Sequence, residues 1–117
     1  MTRTYYFDTS VWSRLVDPPR SAKRRLTEGF VGAVQSRDRI VVSLAVFAEL
    51  AQTPGGKKAE ELARRVWATR PMLLPSMPEA RRMALALLAA GRWRENRFAD
   101  MLHVAYTLCA GADALVT

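Results

Sequence analysis

Four of the chain's eleven acidic residues stand in apolar company, and those four are the candidates for chemistry. Asp8 directly follows the aromatic run Tyr5-Tyr6-Phe7, and Glu49 is the only charge in the fourteen residues from Ile40 to Thr53. Asp100 sits inside Phe98-Ala99-Asp100-Met101-Leu102, and Asp113 opens the last apolar run. A carboxylate drawn into apolar surroundings must be paired, hydrogen-bonded or coordinated, or it takes up a proton. The other acids, Asp17, Glu28, Asp38, Glu60, Glu61, Glu79 and Glu95, lie among polar or basic neighbours. They read as solvated surface charges, whose ion pairs contribute little.

Asp8 reads as the last residue of a buried first strand, with the hydroxyls of Thr9 and Ser10 suited to capping the next helix. Open α/β sheets place their ligands at that carboxyl edge. Glu49 falls in a short helix after a second strand, and Asp100 in the first turn of the last helix, where the dipole favours an acid. In a parallel sheet these positions converge. Several carboxylates at close range repel unless a cation or proton intervenes. The hard ion that takes a few carboxylates, waters and a phosphate oxygen is Mg²⁺, with Mn²⁺ as its usual substitute. In a basic chain that set points to metal-assisted cleavage of a phosphodiester. Taken alone, Glu49 also fits a solvent-facing position, and Asp100 an ordinary helix-start acid.

His103 is the only histidine and lies three residues after Asp100, on the same helical face. It could act as an acid or base near neutrality, but it reads first as a hydrogen-bonded packing residue and at most as a supporting partner of Asp100. Cys109 reads as core.

The 117 residues suit one domain, residues 1–117, with a core of useful size. The first residues carry no apolar signal segment, and no apolar run approaches the roughly 18 residues of a membrane span. A lone cysteine cannot form an internal disulfide, which fits a reducing cytoplasm. The net charge of +7 comes mainly from arginine and favours a polyanion, nucleic acid before membrane. Charge alone is equally consistent with a solubility surface.

The elements that must position the acids follow from patterning. Thr4–Phe7 predicts a strand, and Pro18-Pro19 ends the short helix after it. A helix from Ser21 would bury Ala22, Leu26, Phe30, Ala33 and Val34. Arg39–Leu44 predicts a buried strand running into a helix that Thr53-Pro54-Gly55-Gly56 stops. Lys57–Thr69 is amphipathic, and Met72–Leu74 predicts an edge strand between prolines. A helix from Pro78, with Ser76 as a possible cap, ends near Gly91. Asn96 is the expected cap of the last helix, whose stripe is Phe98, Met101, Leu102, Ala105, Leu108 and Cys109. On this reading Asp100, His103 and Thr107 lie away from the stripe. Ala112–Thr117 closes as a strand. Strands alternating with helices imply a three-layer α/β/α sandwich on a mostly parallel sheet.

At FDTSVW around Asp8, VSLAVFAEL around Glu49, FADMLHVAYTL around Asp100 and the terminal GADALVT, the chain resembles the PIN domain family, specifically the VapC-type toxins of toxin–antitoxin pairs. The resemblance implies a Mg²⁺- or Mn²⁺-dependent endoribonuclease acting on structured RNA, often transfer or ribosomal RNA. It implies that Asp8 and Asp100 ligate metal and that Glu49 completes the acidic site directly or through water. Thr9 or Ser10 would orient Asp8 or a phosphate, and a 5′-phosphate and 3′-hydroxyl would result. It further implies a homodimer and a cognate antitoxin covering the acidic groove.

The basic cluster Arg92, Arg94 and Arg97, just before Asp100, is the candidate contact for RNA phosphates. Family members commonly follow the final strand with another acid or asparagine, then a helix and a strand. Thr117 stands just before that position, and that last helix and strand are not in the sequence. Asp113 starts the strand and is no substitute. A second reading is therefore a PIN-like module that binds antitoxin or RNA without cleaving. A haloacid-dehalogenase-like phosphatase would need an acid at Ser10.

Overall fold

The structure, a computed structural model, describes residues 2–117. Strand β1 (Thr4–Phe7) lies between β2 (Arg39–Val42) and β4 (Ala114–Val116), and β3 (Met72–Leu73) forms the edge beyond β2. All pairings are parallel, in the order β3-β2-β1-β4. The helices are α1 (Thr9–Arg14), α2 (Ala22–Arg37), α3 (Leu44–Ala51), α4 (Gly56–Ala68), α5 (Pro78–Ala90) and α6 (Phe98–Cys109).

Right-handed crossovers decide the layers. The steps from β1 to β2 and on to β3 advance in one direction, so α1 to α4 cover one face. The step from β3 back to β4 crosses the sheet the other way, so α5 and α6 cover the other. The three-layer α/β/α sandwich expected from the sequence is what forms.

The core gathers around β1 and β2. Tyr6, Phe7 and Trp12 are fully buried, with Val41, Val42, Val46, Leu62 and Val66 packed among them. Trp12 can be buried whole because its indole N–H donates to the Phe7 carbonyl at 3.2 Å. The Phe7 and Trp12 rings lie 5.3 Å apart. Where β1 enters the sheet, Asp113 Oδ2 accepts the Thr4 N–H at 2.7 Å. That places Asp113 at the edge opposite Asp8, as its position in the sequence implies.

Three local expectations change. The buried face of α2 is Thr27, Val31 and Val34, while Leu26 is 75 % exposed. The Thr27 hydroxyl donates to the Lys23 carbonyl at 2.8 Å, so a polar side chain takes a core position without an unmet hydrogen bond. Ser76 does not cap α5, whose N-cap is Met77, and Asn96 does not cap α6, which starts from Arg97 after a 3-10 turn at Glu95–Arg97. Finally, α6 buries His103, Ala105, Tyr106 and Thr107. The face holding His103 and Thr107 is interior, because the helix packs on α5, on α3 and beside β4 at once.

Candidate active site

At the carboxyl end of β1 the backbone turns from strand to helix at Asp8. This residue is the N-cap of α1, and its Oδ1 accepts the Ser10 N–H at 2.9 Å and the Ser10 hydroxyl at 2.5 Å. A longer bond of 3.4 Å comes from the Val11 N–H. The same oxygen thus satisfies the open N–H groups of the first turn. Among the described residues no hydrogen bond engages Oδ2, and the side chain is half-buried. The Asp8 N–H donates to the Val116 carbonyl at 3.1 Å, which brings the end of β4 and Thr117 beside it.

Glu49 comes from α3, which starts directly after β2 at the N-cap Ser43. Its Oε1 is bound to Nε2 of His103, whose imidazole is 3 % exposed. The other ring nitrogen, Nδ1, lies 2.6 Å from the Tyr6 hydroxyl, and that hydroxyl lies 2.7 Å from Ser43 Oγ. Thr9 Oγ1 approaches His103 Nε2 at 3.5 Å, a marginal contact beside the Glu49 bond. Five elements or their caps therefore meet at this point: β1, the start of α1, the cap of α3, α3 itself and α6.

Burial pushes the Tyr6 phenol well above its usual range; its bond with Ser43 acts in the opposite sense, and nearby Tyr106, Glu49 and Asp8 raise it further. Thr9, adjacent to Asp8, and Glu49 approach the same His103 nitrogen, so both carboxylates stand at the same end of β1.

Asp100 stands differently. It lies in the first turn of α6, one turn before His103, but its side chain is exposed and Oδ2 is 3.4 Å from Arg97 Nη1. His103 is thus not the partner of Asp100 expected from their spacing. The buried polar network reaches Glu49 instead, because α6 turns His103 inward toward β1 and α3. Arg92 and Arg94 are exposed in the segment before α6, and Arg92 has a positive φ of 52°.

All three carboxylates offer hard oxygen donors, the chemistry that suits Mg²⁺ or Mn²⁺. Asp8 and Glu49 fit such an ion: each has one oxygen tied down and one without a hydrogen bond among the described residues. Asp100 likewise keeps Oδ1 without a hydrogen bond among the described residues, but its side chain is exposed and turned to Arg97. Accordingly, no group of three His, Cys, Asp or Glu side chains stands close enough to hold a metal among the described residues.

Tyr6 and Ser43 were not singled out by the sequence. The signals were there: a phenol on the strand beside Asp8, and a serine closing an apolar run, which reads as strand but caps α3.

A parallel α/β/α sandwich with acids at the carboxyl edge of its central strand defines a class of domain. Residues 5–117 match the PIN domain family, and the chain belongs to it. No curated protein matches the chain. Among solved structures the fold is similar to VapC20 of Mycobacterium tuberculosis, a sarcin–ricin loop cleaving toxin. That likeness has a TM-score of 0.74 at 20 % identity over 95 % of this chain and 86 % of that one. It is also similar to VapBC2 from Rickettsia felis, bound to a DNA fragment from their promoter. There the TM-score is 0.70 at 13 % identity, over 97 % of this chain and 86 % of that one. At these identities the likeness is one of fold. No helix among the described residues is long and apolar enough to cross a membrane.

Proposed function

We propose that this PIN domain is a toxin-type endoribonuclease that hydrolyses RNA phosphodiesters at the site formed by Asp8, Glu49 and Asp100. The observation that carries this reading is that Glu49 is bound to His103 Nε2, which Thr9, the residue next to Asp8, approaches from the end of β1. A bound Mg²⁺ or Mn²⁺ would supply an activated water and neutralise charge on the scissile phosphate. Asp8 and Glu49 hold such an ion through the oxygens that Ser10 and His103 leave free. Asp100 would close the donor set through its other oxygen, Oδ1. Thr9, Ser10 and Thr117 line the approach, with Ser10 fixing Asp8.

Arg92, Arg94 and Arg97 bind phosphates of the RNA, either transfer or ribosomal. The likeness to VapC20, a toxin, supports a toxin role; a cognate antitoxin over the acidic edge, a homodimer and a cytoplasmic setting go with that role.

The test is cleavage of a structured RNA with Mg²⁺ or Mn²⁺ by wild type and by Asp8→Asn. Metal-dependent cleavage lost in the variant supports the nuclease. A second reading, a domain that binds RNA or antitoxin without cleaving, is favoured by the exposed position of Asp100, which pairs with Arg97 at the surface. RNA binding that is indifferent to metal, with no cleavage by wild type, would establish it.

A further inference from the structure

The buried chain Ser43–Tyr6–His103–Glu49 contains three hydrogen-bonded links, and each link needs one proton. An ionised Glu49 can only accept, so the last link takes its proton from His103 Nε2. Tyr6, like any ordinary phenol, carries its proton at neutral pH. With a neutral imidazole the count closes in one direction only: Ser43 donates to Tyr6, Tyr6 donates to Nδ1, and Nε2–H donates to Glu49. The opposite tautomer would set a bare Nε2 against a carboxylate oxygen. An imidazolium would bring a fourth proton and turn the Ser43 hydroxyl outward. Ser43 is fully buried, and Tyr6 is its only side-chain partner among the described residues.

We propose that His103 is a positioning residue for Glu49, locked as the Nε2–H tautomer by Tyr6 and Ser43, so that Oε1 is held and Oε2 is the oxygen offered to the metal. The inference rests on the reading of Glu49 as a metal carboxylate. Partners that orient a ligand in this way typically change metal affinity by about 10- to 100-fold when removed. His103 is the only histidine, so its ring nitrogens give the only imidazole signals in a nitrogen-15 NMR spectrum.

The first experiment is that spectrum on the metal-free wild type at neutral pH. A protonated Nε2 with an unprotonated Nδ1 is expected; an Nδ1–H tautomer or an imidazolium overturns the proposal. The second is Mn²⁺ affinity by calorimetry on wild type, Tyr6→Phe, His103→Gln, His103→Ala and Glu49→Gln, each checked for folding by circular dichroism. A glutamine amide can replace Nε2–H but not Nδ1.

The expected result is about tenfold weaker binding in His103→Ala, with His103→Gln recovering part of the loss and Tyr6→Phe falling between. Wild-type affinity in His103→Ala, with binding lost in Glu49→Gln, overturns the positioning role alone. Wild-type affinity in Glu49→Gln overturns Glu49 as a ligand, and the positioning role falls with it. Should His103→Ala fail to fold, His103→Gln and the wild-type spectrum still decide.

Discussion

His103 is buried, yet the group its Nε2 binds is the half-exposed carboxylate of Glu49. One end of the imidazole therefore answers to the core, through Tyr6, and the other to the active edge. His103→Leu would leave the Tyr6 hydroxyl and Glu49 without their partner while roughly keeping volume. Stranding buried polar groups costs on the order of 1–3 kcal/mol. Urea denaturation is expected to show a midpoint lowered accordingly, with an unchanged slope.

The raised Tyr6 phenol makes stability depend on alkaline pH. Below its ordinary value of 10.0 the phenol is neutral in folded and unfolded chains alike, and its contribution is complete. As pH rises above that value the unfolded chain loses the proton first, so folding weakens until the folded phenol also ionises. Tyr6→Phe lacks this group and is less stable near neutrality, but the gap to wild type should narrow between about pH 9 and pH 11. Thermal melts of both proteins across that range measure the gap.

Asp8 caps α1 and, on the proposed function, holds the metal, and substitutions separate the two roles. Asparagine caps a helix about as well as aspartate, whereas alanine costs about 0.5–2 kcal/mol. Asp8→Asn should therefore melt near wild type and lose metal-dependent cleavage. Asp8→Ala should lose both cleavage and stability. Calorimetric melts beside an RNA cleavage assay distinguish the two.

Arg92, Arg94 and Arg97 are exposed, and the Arg97–Asp100 pair is solvent-facing, so its loss costs little stability. Replacing all three arginines with alanine should leave the melting temperature nearly unchanged. Against single-stranded RNA the slope of log affinity on log salt should shrink by about 2, at roughly 0.7 per phosphate contact. Anisotropy titrations at several salt concentrations read that slope.

Much of this molecule is legible in its residues because its rules are local. An aromatic run marked β1, a β-branched run marked β2 and flanking prolines marked β3, and alternation with helices implied the parallel sheet. Asp8 was readable as a strand-end acid because a hydroxyl pair follows it. Other features depend on which faces meet. The sequence around α6 has apolar residues on one side and Asp100, His103 and Thr107 on the other. Only the packing of α6 against both α3 and α5 makes His103 and Thr107 interior, while Asp100 at the helix start stays exposed. Likewise Leu26 on α2 looks like core by spacing and is exposed, since Thr27 meets its own hydrogen-bonding need and takes the inner place. The tie between Glu49 and His103, 54 positions apart, is a tertiary fact that no local pattern carries.

The most direct measurement uses Mn²⁺ as a paramagnetic probe and the single histidine as the reporter. If Asp8, Glu49 and Asp100 gather around one ion, substoichiometric Mn²⁺ will broaden the His103 ring resonances selectively, and the broadening will vanish in Asp8→Asn. Sharp His103 resonances at Mn²⁺ concentrations that broaden other surface acids, such as Glu60 and Glu61, would contradict the account.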